Sequence, residues 1–215
     1  VDPKGDEMMP LLFFRLTLLT IVALLMHLAG CASSAPTRFY VLSPLASSTS
    51  DSQVPKDEGC IAIGIGPVEL PAYLDRPQIV TRVSENELSL SEFNKWAEPL
   101  KDNLTRVLVE NLSTLICADA ISIFPWKGPT PIDYQVEVTV IRMDGSVGGN
   151  ASLVARWAIF REKDRKMLMM RQSSFSRRLS SQGYQALVSA QSGAIADLSR
   201  EIAEAIKTYA FAVDK

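Results

Sequence analysis

Histidine is almost missing from this 215-residue chain: the one present, His27, sits among apolar residues close to the N-terminus. Without a second imidazole there is no Ser-His-Asp triad, no histidine zinc site and no proton shuttle poised near neutral pH. An excess of positive charge is also missing, since 22 basic residues face 24 acidic ones. That balance leaves no electrostatic footprint for nucleic acid. A run long enough to span a bilayer is missing too, because the apolar stretch of residues 16–28 falls short of the ~20 residues a transmembrane helix needs. Cysteine is scarce, three in all, and no Gly-Ser elbow, Ser-x-x-Lys box or cluster of metal ligands occurs after His27. These absences point to a protein that is not an enzyme and holds no metal or cofactor.

What is present begins with a targeting signal. Met8-Met9, the basic Arg15, the apolar run and then Leu28-Ala29-Gly30-Cys31 have the order of a cleavable signal peptide closed by a lipobox. The expected arrangement is a signal peptide at 8–30, preceded by a non-native or misannotated extension within residues 1–30. Cys31 then becomes the first, lipidated residue, and the covalent lipid is the only non-protein group expected. Acyl chains contribute roughly 0.8 kcal/mol per buried CH₂, which makes a multiply acylated anchor effectively permanent. Ala32 follows the cysteine where lipoproteins retained in the inner membrane commonly carry Asp, so the expected location is the periplasmic face of a Gram-negative outer membrane. Residues 31–38 form a lipidated tether, of which Ala32 to Arg38 reaches no more than about 25 Å at ~3.3 Å per residue. Residues 39–215 then read as one domain, a length suited to a single core.

Periodicity along that domain gives strands, a helix, strands and a helix. Phe39-Tyr40-Val41-Leu42 reads as a first strand, and residues 60–68 alternate Ile61, Ile63 and Ile65 against Ala62, Gly64 and Gly66. Residues 70–77, bracketed by Pro71 and Pro77, read as a stiff ordered loop. Residues 78–82 and 87–90 look like a hairpin. A helix follows Pro99, with Leu100, Leu104, Val107, Leu108, Leu112 and Leu115 on one face. Tyr134, Val136, Val138 and Val140 mark the clearest strand, residues 153–160 and 166–177 continue antiparallel, and a terminal helix carries a stripe from Leu187 to Tyr209. The expected fold class is α+β: an antiparallel or mixed β-sheet with two main helices packed on one face.

Several residues stand out as candidates. Cys60 and Cys117 either form a disulfide, if their Cα atoms come within about 7 Å, or stay separate buried thiols. Asp75 and Arg76 are either a functional pair or a solvated loop tip. Trp96 is either a partner anchor, as Trp often is at interfaces, or a plug between helix and sheet, and Phe124-Pro125-Trp126 invites the same two readings. Met143, Met167, Met169 and Met170 either fill core or offer a soft surface to lipid. Asn103, Asn111 and Asn150 lie in glycosylation sequons, which the bacterial lipobox makes irrelevant.

The lipobox, Phe39-Tyr40-Val41-Leu42, Ile63-Gly64-Ile65-Gly66-Pro67-Val68, the run from Leu70-Pro71-Ala72-Tyr73-Leu74-Asp75-Arg76-Pro77-Gln78 to Arg82, and Trp96-Ala97-Glu98-Pro99-Leu100 together resemble the ABC-type transport auxiliary lipoproteins. These are the PqiC/YmbA-like proteins that accompany MCE-domain transporters. The resemblance implies an outer-membrane-anchored, non-catalytic component of an intermembrane lipid transport system that docks on the MCE subunit and supports envelope integrity. It also implies that Tyr73, Leu74, Asp75, Arg76 and Trp96 belong to a partner-binding surface. The domain would act singly or as a homo-oligomer. The competing reading is an outer-membrane scaffold lipoprotein that binds a β-barrel or peptidoglycan.

Overall fold

The computed structural model describes residues 14–21, 35–46, 60–126 and 131–210. The lipobox, including Cys31, and residues 31–34 of the tether lie outside these residues. The chain divides into two units, residues 1–36 and 37–215. In the first, residues 14–21 are helical (α1). No helix among the described residues is long and apolar enough to cross a membrane.

The second unit is α+β, in the order β1 (Arg38–Tyr40), β2 (Ile61–Glu69), β3 (Gln78–Arg82), β4 (Leu88–Trp96), α2 (Leu100–Leu115), β5 (Ala118–Ile123), β6 (Tyr134–Gly145), β7 (Asn150–Arg161), β8 (Lys166–Arg178) and α3 (Tyr184–Ala210). A five-stranded sheet runs β5-β2-β6-β7-β8, and a separate three-stranded sheet runs β1-β4-β3. One sheet was expected, and the split has an identifiable origin. β4 does not stop near Leu90 but continues to Trp96, because Asn94, Lys95 and Trp96 pair in parallel with Arg38, Phe39 and Tyr40 of β1. That pairing spans more than fifty residues of chain, so no local pattern announces it.

The sheets are mixed: β1 with β4, β2 with β5 and β2 with β6 are parallel, while β3 with β4 and the β6-β7-β8 meander are antiparallel. β2 therefore has parallel neighbours on both sides. Strands in that position are hydrophobic throughout rather than alternating, and Ala62, Ile63, Ile65 and Val68 are all buried.

α2 begins directly after Pro99, whose extended backbone enters the helix without a side-chain cap, and Asp102 in the first turn complements the positive end of the helix dipole. Its Leu100, Leu104, Val107, Leu108 and Leu112 are buried. They share one core with Ile63, Ile65, Val136, Val138, Leu153, Trp157 and the α3 stripe Leu187, Ile195, Leu198, Ile202 and Ile206. Two asparagines interrupt the apolar face of α2 for a reason. Asn103 Oδ1 accepts the backbone N–H of Leu42 at 2.6 Å, and Asn111 Oδ1 accepts that of Leu45 at 2.7 Å. Ser43 N–H donates to Ser192 Oγ of α3. The segment after β1 thus satisfies its backbone through side chains of both helices instead of a strand partner.

Candidate functional site

Residues 70–77 connect the end of β2 to β3. Successive turn bonds, Leu74 N to Pro71 O at 2.9 Å and Arg76 N to Leu74 O at 2.9 Å, close the loop on itself. Trp96 N–H donates to Pro77 O at 2.7 Å and fastens the exit of the loop to the end of β4. Leu74 and Trp96 are buried in the core, whereas Ala72, Asp75 and Pro77 are exposed.

Burial therefore corrects part of the expected surface. Leu74 and Trp96 cannot touch a partner in this conformation, because each lies at 5% exposure or less. They hold the loop from beneath. Of the five expected residues, Asp75 presents itself fully, and Arg76 and Tyr73 are half-buried. The loop is held by its turn bonds, with Asp75 the exposed charge on it.

Beneath it lies a charged cluster. Arg82 at the end of β3 donates from Nε and Nη2 to Asp144 Oδ2 of β6, at 2.9 and 2.6 Å. Its Nη1 donates to the carbonyls of Ser84 and Glu85. Asp144 is almost fully buried, and Arg82 is 28% exposed. This ion pair bridges the two sheets. Tyr73 carries a buried hydroxyl in the field of the same pair: burial first, and then the negative charge of Asp144, push its pKa above the usual phenol value. The phenol therefore stays protonated throughout the physiological range.

Cys60 and Cys117 are joined in a disulfide, with Cα atoms 4.9 Å apart. Parallel pairing of β2 with β5 brings them together, and Ile61 N–H donates to Cys117 O beside the bond. The methionines do not form one surface, since Met143 is buried while Met167 and Met170 point outward on the edge strand β8. Phe124 is half-exposed and stacks edge-on against Trp126 at 5.4 Å. Trp126 in turn lies over Gly64, where any side chain would collide with it. Among the described residues no group of His, Cys, Asp or Glu is placed to hold a metal ion.

Arg82, Asp144, Asn103 and Asn111 were not singled out as a group by the sequence. The first two lie 62 residues apart on different sheets. The asparagines did leave a signal, because a polar residue recurring on the apolar face of a helix must find a buried partner.

The family model for the ABC-type transport auxiliary lipoprotein component matches residues 40–203. The intermembrane transport lipoprotein PqiC of Escherichia coli (strain K12) is 26% identical over 190 residues, covering 88% of this chain and 96% of that protein. The crystal structure of an uncharacterized protein aligns with a TM-score of 0.65 at 21% identity, covering 80% of this chain and 99% of that one. A Xanthomonas campestris protein aligns at 0.60 with 16% identity, covering 84% and 97%. These two structural likenesses speak for the fold alone.

Proposed function

The chain belongs to the ABC-type transport auxiliary lipoprotein family, and from that premise we propose that it is a lipid-anchored docking subunit of an intermembrane lipid transport system. Cys31 carries the anchor and holds the domain at the periplasmic face of the outer membrane. The loop of residues 70–77 docks on an MCE-domain subunit rooted in the inner membrane and so supports envelope integrity. No chemistry is required of the chain itself.

The observation that carries this reading is the way the loop is built. Leu74 and Trp96 anchor it in the core, the turn bonds fix its path, and Asp75 is exposed on it. A loop already ordered before contact loses little conformational entropy on binding. Anchoring adds a second advantage, since confinement to a membrane surface raises the effective concentration of a weak docking contact.

Asp75→Arg tests the reading. The substitution changes an exposed side chain outside the core, so thermal unfolding should stay within about 1–2 °C of the parent, as expected for a surface change. Co-purification of the MCE protein should fall sharply. Unaltered co-purification would remove Asp75 from the interface. Cys31→Ala should release the protein from the membrane fraction, and retention there would contradict anchoring through this cysteine.

A further inference from the structure

Beside the Arg82–Asp144 pair lies an open cleft of about 400 Å³, walled by Arg82, Arg142, Ser146, Asn150 and Ser152. Two guanidinium groups and one carboxylate line it. The donors of Arg82 are engaged by Asp144 and by two backbone carbonyls. Arg142 is differently placed. A register shift between Val140 and Arg142 in the β6–β7 pairing puts Ile141 out of the ladder. Arg142 then pairs with Val154, and Asp144 with Ser152. Arg142 Nη2 donates to Ser152 Oγ at 3.1 Å, which is a neutral acceptor, and its Nε is shielded from solvent without any acceptor. Among the described residues no ion pair joins it to an acidic side chain.

A partly desolvated guanidinium without a counter-charge is unfavourable on its own. Here it is accompanied by the hydroxyls of Ser146 and Ser152 and the amide of Asn150, groups able to donate hydrogen bonds. The Gly145 to Gly149 turn contributes Gly145, Ser146 and Gly149 to the lining, with Gly148 at a φ of +84° and no room for a side chain at Gly145 or Gly149. Two guanidinium groups against the one carboxylate of Asp144, already engaged by Arg82, leave a net positive charge at Arg142 beside neutral donors, a set that suits a small anion with several oxygens.

We propose that this cleft binds a phosphate-type oxyanion, with Arg142 as its counter-charge. The group could be carried by a phospholipid headgroup or be free phosphate. Only the lipid source rests on the transport reading, and the site itself does not.

The test is calorimetric titration of the full-length protein in a neutral detergent with two probes at constant ionic strength. One is inorganic phosphate, and the other is glycerophosphoglycerol, the deacylated phosphodiester headgroup. Saturable binding is expected for at least one, weakened about tenfold or more by Arg142→Gln, which removes a charge-assisted contact. Arg156→Gln, on the same sheet but outside the cleft, should leave it unchanged. Hydrogen exchange of the unsubstituted protein should slow in residues 145–152 on adding the bound probe, and this decides the matter if Arg142→Gln does not fold. Binding of the diester identifies a lipid headgroup as the source, and binding of inorganic phosphate alone identifies the free ion. The proposal is overturned if neither probe binds, if Arg142→Gln binds as well as the parent, or if protection appears elsewhere. Such a failure would leave the Asp75 docking test untouched, because Asp75 is not in the cleft.

Discussion

Arg82→Met should be the most damaging single substitution outside the apolar core. Asp144 is 2% exposed and receives two charge-assisted hydrogen bonds from the guanidinium, at 2.6 and 2.9 Å. Removing the arginine leaves a buried carboxylate without a partner. Breaking a fully buried pair this way costs roughly 3–5 kcal/mol. Arg82 is itself 28% exposed, so water can enter the vacated space, and the lower end, about 3 kcal/mol, is expected. For a domain of this size each kcal/mol shifts the midpoint by roughly 2–4 °C, which gives a fall of about 6–12 °C. Replacing both partners by apolar residues, Arg82→Met with Asp144→Leu, removes the stranded charge, and the double variant should be more stable than Arg82→Met alone. Urea unfolding followed by tryptophan fluorescence measures all four corners of the cycle. A single variant within about 0.5 kcal/mol of the parent, or a double variant no better than Arg82→Met, would refute the role of this pair as the clamp between the sheets.

The Cys60–Cys117 bond closes a loop with a sequence separation of 57 residues. Its reduction should lower stability by up to about 4 kcal/mol in the chain-entropy model, which unfolding with and without reductant will show. Glu137 has its pKa raised above 4.5, first by burial and then by the nearby charge of Glu69. The stability linked to its protonated form is complete below pH 4.5 and is lost as pH rises through the folded value. Glu137→Gln should therefore unfold at a higher temperature than the parent at pH 7, and the gap should close at pH 4; a gap of equal size at both pH values would contradict the burial argument. Asn111→Ala strands the Leu45 N–H, at a cost of about 1–3 kcal/mol, while the Ser199 hydroxyl keeps its bond to Ile195 O. Faster amide exchange at Leu45 should accompany the loss, and unchanged exchange there would sink the assignment.

Much of the architecture was legible because its periods are strong. The α2 and α3 stripes, the β6-β7-β8 meander and the stiff loop fall close to where alternation and proline placement put them. The second sheet was not legible, since β1 finds β4 across more than fifty residues and the three matched pairs carry no local mark. At the candidate site the sequence marked out the loop of residues 70–77 as ordered but could not tell its inside from its outside. The resemblance put Leu74 and Trp96 on the working surface, and burial places both under it, which for Trp96 agrees with the alternative reading of a plug between helix and sheet. Pattern alone could not separate a motif that contacts a partner from one that packs, because aromatic and aliphatic residues serve both. The Arg82, Asp144 and Arg142 cluster was invisible for a related reason. Each is an ordinary charge in a strand until the two sheets meet.

Photocrosslinking in intact cells from a reactive residue at position 75, with mass spectrometry of the adduct, asks the central question directly. Position 75 is exposed on the loop, so a partner seated there must lie within reach of the probe. An MCE-domain protein in the adduct is the expected outcome. A β-barrel, a peptidoglycan fragment or no adduct at all would contradict docking through this loop.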